Sequence, residues 1–193
     1  MTDSTAPNDD DLLRETIAGN EGAFTILYRR WQGNVYRFAL HMTGSAVLAE
    51  DVTQDVFLTF MQAPERYQAA RGPLVSYLYG IARNHVWRTL RRDRPFVPLE
   101  DEADGDAPDA GAAAALVRSE AIEWVRRAVL SLPVHYREVV VLCDLHGMSY
   151  EQGASVIGCS IGTVRSRLSR GRALLGEKLR PLFHFERLRK SAR

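Results

Sequence analysis

The chain has only two cysteines in 193 residues, Cys143 and Cys159, and these lie too far apart in sequence to suggest a disulfide framework. Long apolar runs are missing. The longest compact one is Val139–Cys143, far short of the roughly 20 residues that span a bilayer. No segment alternates apolar and polar residues as a half-buried strand does, which leaves helices as the structural material. The start, MTDSTAPNDDD, is polar and acidic, with neither the basic beginning nor the apolar stretch of a signal peptide. A cytoplasmic location without stable membrane insertion is therefore expected. A phosphate-binding glycine loop, a nucleophile elbow and a credible pair of catalytic carboxylates are also lacking, so no catalytic residue and no cofactor are expected. A metal site would have to pair Cys143 with His146, helped by His135 or Cys159. Structural zinc needs four ligands in a closed tetrahedron, and the absence of a second close pair argues against any metal. The remaining histidines, His41, His85 and His184, are scattered and read as satisfied helix-surface residues.

Of the residues, 46% are hydrophobic, enough for globular domains, and the formal net charge is only +1. That near-neutrality conceals a separation along the chain. Residues 95–117 carry six acids and no base, whereas residues 118–193 carry fourteen bases against seven acids. The C-terminal part thus has the electrostatic footprint of a polyanion binder.

Residues 95–116 form an acidic linker rich in proline, glycine and alanine, with almost no core-forming side chains. The expected organisation is a disordered tail over 1–11, a helical domain over 12–94, this flexible linker, a helical domain over 117–180 and a basic tail over 181–193. Helices are predicted near Asp11–Ala18, Glu21–Thr43, Ala46–Gln62 and Leu74–Arg92. A second set falls near Leu116–Leu130, Pro133–Leu145, Tyr150–Ile157 and Ile161–Leu179. The fold class is all-α, and the alanine-rich end of the linker is able to extend the fifth helix.

The sharpest local signal is Met148–Arg172, MSYEQGASVIGCSIGTVRSRLSRGR. Ser149 and Gln152 have the spacing of a capping box. Gly158 offers the left-handed conformation that closes a helix, and Ser160 suits the cap of the next one. The result is a helix-turn-helix with a turn of about three residues. On a helical wheel Ile161, Val164, Leu168 and Leu175 make one apolar stripe, with Gly171 beside them. Gly162, Ser166, Ser169 and Arg170 point away from it, flanked by Thr163 and Arg167 on one side and by Arg165 and Arg172 on the other. Small polar residues allow close approach to a groove, and arginines reach base edges and phosphates. The plainer alternative is a solvated basic face on a bundle helix.

Two other faces carry chemistry. In AEDVTQDVFLTFM, Ala49, Val52, Val56 and Phe60 make a core side, while Asp51, Gln54, Asp55 and Leu58 share the opposite face with Met61 nearby. An apolar anchor rimmed by acids suits protein docking; the alternative is a solvated acidic face with the leucine packed on a neighbouring helix. In SYLYGIARNHVWRTLRR, Leu78, Ala82, Val86 and Leu90 face a core, and Tyr77, Asn84, Trp87, Arg88 and Arg91 gather elsewhere. The preceding loop, Ala63–Pro73, adds Arg66, Tyr67 and Arg71. Rings that stack on bases beside cations that follow a backbone are the ingredients of single-strand binding. The alternative makes Tyr77 and Trp87 core aromatics with polar edges.

Taken in order and spacing, these motifs resemble a bacterial RNA polymerase sigma factor of the extracytoplasmic-function type, group four of the sigma-70 family. The resemblance covers about residues 12–94 and 117–179 and implies two small helical domains, similar to sigma regions 2 and 4, and a function without covalent chemistry. It implies core polymerase binding by Asp51, Gln54, Asp55 and Leu58. Minus-ten and single-strand contacts would come from Arg66, Tyr67, Arg71, Tyr77, Asn84, Arg88 and Arg91, with the Ala63–Pro73 loop helping to form a pocket for an extruded base. Minus-thirty-five contacts would come from Thr163, Arg165, Ser166, Arg167, Arg170 and Arg172. The implied partners are core RNA polymerase, promoter DNA and an anti-sigma factor. Three positions depart from the family pattern: Gly153 replaces a usual aliphatic residue, Arg88 a common acid, and Trp87 a smaller aliphatic. The competing reading is a one-component helix-turn-helix regulator that binds palindromic duplex without polymerase.

Overall fold

A computed structural model of the chain describes residues 7–92 and 110–191, in which eight α-helices and no strand are found. The first domain comprises α1 (Asp9–Ile17), α2 (Glu21–Thr43), α3 (Ala46–Gln62) and α4 (Leu74–Arg92). Helix α1 takes in residues 9–11 of the stretch expected to be a tail. Asn8 caps it by accepting from the Asp11 amide at 2.7 Å, and Asp9, Asp10 and Asp11 fill the first turn, where the helix dipole favours anions. Residues 1–6 of that tail lie outside the described residues. Asn20 and Ser45 cap α2 and α3, and Gly44 at φ 73° closes α2 in the left-handed conformation. Helix α2 packs against α1, α3 and α4 around Leu27, Val35, Phe38, Val52, Val56, Phe60, Leu78 and Val86, all buried.

The second domain comprises α5 (Ala110–Leu130), α6 (Val134–Val140), α7 (Tyr150–Ile157) and α8 (Ile161–Ser191). Residues 110–116 of the expected linker are helical because their alanines are the strongest helix formers. The linker residues before Ala110 lie outside the described residues. Instead of one helix to Leu145, α6 gives way to a π-helical turn over Val141–Leu145, in which the His146 amide bonds back to the Val141 carbonyl at 3.0 Å.

The helix-turn-helix forms as its capping signals require. The Gln152 amide donates to Ser149 Oγ at 3.2 Å and the Ser149 amide to Gln152 Oε1 at 2.9 Å. Gly158 closes α7 at φ 74°, and Ser160 Oγ accepts from the Thr163 amide at 3.1 Å. Val164, Leu168 and Gly171 are buried. Ile161, expected in the same stripe, is 37% exposed, because the stripe reaches the core only from Val164 onward. A Cβ on Gly153 would stand 3.3 Å from Cys143 Sγ, so the thiol fills the space that an aliphatic side chain would take. Helix α8 runs to Ser191 rather than ending near Leu179, so the expected basic tail is helical over most of its length. Pro181 lies within α8, where it cannot donate to the Glu177 carbonyl.

The two domains share a seam. Helix α4 packs on α7, and α2 touches α5, α6 and the π-turn. Arg137 Nη1 donates across the seam to the Met42 carbonyl at 2.5 Å.

Candidate nucleic-acid interface

The acidic face of α3 is open. Asp51, Gln54 and Asp55 are exposed, as are Leu58 at 56% and Met61 at 53%, so the leucine is not drawn into the core. Asp55 is oriented from α4: His85 Nδ1 lies 3.0 Å from one carboxylate oxygen, with His85 Nε2 3.4 Å from the Thr59 hydroxyl. His85 is thus satisfied by two partners on α3. Burial and then the Arg88 charge lower its pKa, with Asp55 opposing them. Beside this face an open groove of about 420 Å³ runs between α2 and α3, lined by Tyr28, Arg29, Tyr36 and Gln54 among others.

The strand-binding candidates divide into two groups. At the start of α4, Tyr77 packs its ring on Phe60 and Tyr67, with centroid separations of 6.5 and 5.7 Å. The Tyr67 hydroxyl donates to the Gly72 carbonyl at 3.0 Å and so ties the loop together. Arg66 and Arg71 flank these half-buried rings from two short 3-10 turns and are exposed. Further along α4, Arg83, Asn84, Trp87, Arg88 and Arg91 line a second groove of about 350 Å³. Asn84, Arg88 and Arg91 are exposed there. Trp87, half-buried, also reaches the seam, where its indole N–H donates to Glu138 Oε1 at 3.0 Å.

On α8, Arg165, Ser166 and Arg170 are exposed, while Thr163 and Arg167 are half-buried. The hydroxyls of Thr163 and Ser166 also serve the first turns, Thr163 with Ser160 at 2.9 Å and Ser166 by donating to the Thr163 carbonyl at 3.0 Å. The Arg165 guanidinium lies over the Tyr150 ring, 5.7 Å from its centroid, which aims it from α7. Arg172 differs from the others. It makes a two-bond contact with Asp144, at 2.6 and 3.1 Å, which stabilises its charge and ties α8 to the π-turn.

Spacing along the sequence does not disclose the seam. Tyr79 on α4 bonds His146 Nδ1 at 2.7 Å, and the His41 ring lies 5.9 Å from that of His146. Burial, followed by His41 and Arg37, lowers the His146 pKa to about 4. Burial also lowers that of His41, which is therefore not the surface histidine expected. Glu138 is 1% exposed and accepts from both Arg83 and Trp87. Its sequence signal was a lone acid beside the apolar run VVVLC.

Comparison with known proteins matches residues 27–96 to sigma-70 region 2 and residues 122–175 to sigma-70 region 4. The chain is 34% identical over 156 residues to the ECF RNA polymerase sigma factor SigE of Mycolicibacterium smegmatis, covering 79% of this chain and 60% of that relative. It is also 34% identical over 179 residues to the ECF RNA polymerase sigma factor SigM of Mycobacterium tuberculosis, covering 89% and 85%. Its fold resembles that of the sigma factor RpoE solved with the anti-sigma factor NepR from Bartonella quintana. There the TM-score is 0.65 at 24% identity, over 81% of this chain and 96% of that one.

Proposed function

This chain belongs to the extracytoplasmic-function sigma factors, group four of the sigma-70 family, and from that premise we propose that it directs core RNA polymerase to promoters by dividing recognition between its two domains. Proteins of this family act by binding and not by covalent catalysis. The α8 face of Arg165, Ser166, Arg167 and Arg170, with Thr163, reads the minus-thirty-five duplex in the major groove. Arg172 supports that face by fixing α8 to Asp144. The exposed surface of Asp51, Gln54, Asp55 and Leu58 docks on core polymerase. Asn84, Arg88 and Arg91, with Arg66, Tyr67, Arg71 and Tyr77, hold the opened minus-ten strand, cations on phosphates and ring edges near bases. A cytoplasmic place of work follows from the proposed partners, core polymerase and promoter DNA; none of the described helices is long and apolar enough to cross a membrane. An anti-sigma factor is the proposed regulator, by analogy with the complex formed by RpoE.

The observation that carries this reading is the exposed leucine among acids on α3, on the same chain as a formed helix-turn-helix. A one-component regulator has no use for that face. Adding the purified chain to core polymerase should give transcripts with defined starts from promoter fragments of its own genome. If core polymerase gives the same transcripts with and without the chain, the proposal fails.

A further inference from the structure

We propose that Asp144 sets the sequence selectivity of the recognition helix, by holding Arg172 beside the duplex as a fixed donor whose positive charge is already matched. This rests on the reading of α8 as the duplex-reading helix. Of Arg165, Arg167, Arg170 and Arg172, only the last meets a carboxylate among the described residues. Its Nε and Nη2 N–H groups donate to the two Asp144 oxygens at 3.1 and 2.6 Å. That side-on pairing leaves the Nη1 end of the guanidinium for a second anion, which a planar fork can serve together with the first. The pair stays within reach of DNA, since the Arg172 side chain is 54% exposed and that of Asp144 28%. Asp144 is presented by the π-helical turn Val141–Leu145, an irregularity of a kind that recurs at functional sites. Tyr150 completes the cluster. Asp144 chiefly, and Tyr150 after it, raise the Arg172 pKa, so the guanidinium stays charged, while the same tyrosine carries Arg165 over its ring.

An exposed ion pair adds little to stability, so the consequence of this one lies in what it does to Arg172. An unpaired arginine attracts any phosphate within reach, and its charge strengthens binding to every duplex by releasing counterions. With Asp144 attached, the pair brings no net charge and a guanidinium held in one orientation. Its remaining N–H groups engage only a phosphate that arrives where they point. That happens when the helix is seated in register, with its other arginines on the right bases. Random duplex gains little from such a donor. Asp144 is thus a positioning residue, and it favours the correct sequence by holding back charge from all the others.

The test uses the full chain and two short labelled duplexes, one carrying the upstream element of a promoter it serves and one with that element scrambled. Affinity is read by fluorescence anisotropy across a range of salt concentrations, and folding by circular dichroism. Asp144→Asn keeps the shape and removes the charge. It should steepen the fall of log affinity with log salt by about 0.9, the value of one further phosphate contact, and tighten binding to the scrambled duplex about five- to tenfold at roughly 0.1 M salt. The cognate duplex should gain less, so the ratio of the two affinities falls. Asp144→Glu, which keeps a carboxylate there, should hold slope and ratio near wild type. Arg172→Lys keeps the charge and loses the fork, so it should leave the slope unchanged and lower the ratio, and it decides the matter if Asp144→Asn does not fold. Asp144→Asn with a wild-type slope, or with an equal change on both duplexes, overturns the proposal, and so does Arg172→Lys with the ratio intact. The underlying reading fails separately: if Arg165→Ala and Arg170→Ala leave both duplexes bound as before, α8 does not read the duplex. If they weaken the cognate complex while Asp144→Asn alters neither slope nor ratio, only the role of Asp144 is wrong.

Discussion

At Gly171, α8 crosses α6 so closely that a single added methyl group should loosen the second domain. A Cβ there would lie 2.9 Å from Val140 Cγ2, 3.4 Å from the Tyr136 carbonyl oxygen and 3.5 Å from Tyr136 Cβ. Neither neighbour yields easily: Val140 is a buried, β-branched side chain and the Tyr136 oxygen belongs to the backbone. Alanine gains about 1 kcal/mol over glycine in helix propensity, while overpacking of a filled core typically costs about 1–3 kcal/mol. Gly171→Ala should therefore destabilise the domain by about 1 kcal/mol net, lowering its melting temperature by roughly 4–8 °C. Gly176→Ala on the same helix is the control, because an added Cβ meets nothing within 4 Å and the residue is exposed. It should be neutral or stabilising. The two variants are compared by thermal melting followed by circular dichroism, and a Gly171→Ala protein that melts above wild type would refute the packing argument.

Leu58→Ala should weaken core polymerase binding by roughly five- to thirtyfold, the worth of about 1–2 kcal/mol of buried apolar surface, with folding unchanged; an unaltered pull-down removes it from the docking face. Arg165→Ala should cost about 1–3 kcal/mol on the cognate upstream element and less on other duplexes, as gel-shift titration can read. An equal loss on every sequence makes it a phosphate contact. The seam should loosen in acid. With its pKa lowered to about 4 from 6.5, His146 contributes stability that is complete above about pH 6.5 and is lost as pH falls toward 4, because the unfolded state then binds more protons. Tyr79, His41 and Arg37 face this group, and His41 titrates in the same direction. Melting temperature should thus fall more steeply between about pH 7 and pH 4.5 in wild type than in His146→Gln, and parallel slopes would count against this role.

What the sequence disclosed was what is decided locally. The helix-turn-helix follows from Ser149, Gln152, Gly158 and Ser160, whose hydrogen bonds close within three to four residues, so spacing alone was enough. The face of α3 was legible for a related reason: Val52, Val56 and Phe60 are buried, which leaves Asp51, Asp55 and Leu58 outward. Periodicity could not foresee contacts made between elements. The partners of Glu138 are 51 and 55 residues away, and Arg172 meets Asp144 across 28 residues. The π-turn at Val141–Leu145 likewise has no signature in a run of valines and leucines that suits a continuous α-helix. Trp87 was grouped correctly with the groove but not with the seam, since a wheel gives direction and does not say what lies there.

The central claim is that this chain opens promoter DNA only as part of polymerase, and permanganate footprinting of unpaired thymines measures that most directly. Reactive thymines should appear just upstream of the transcript start when chain, core polymerase and promoter are combined, and should be absent when either protein is left out. The opposite outcome, tight binding of a palindromic duplex by the chain alone with no reactive thymines under any combination, would contradict the claim and identify a free-standing regulator.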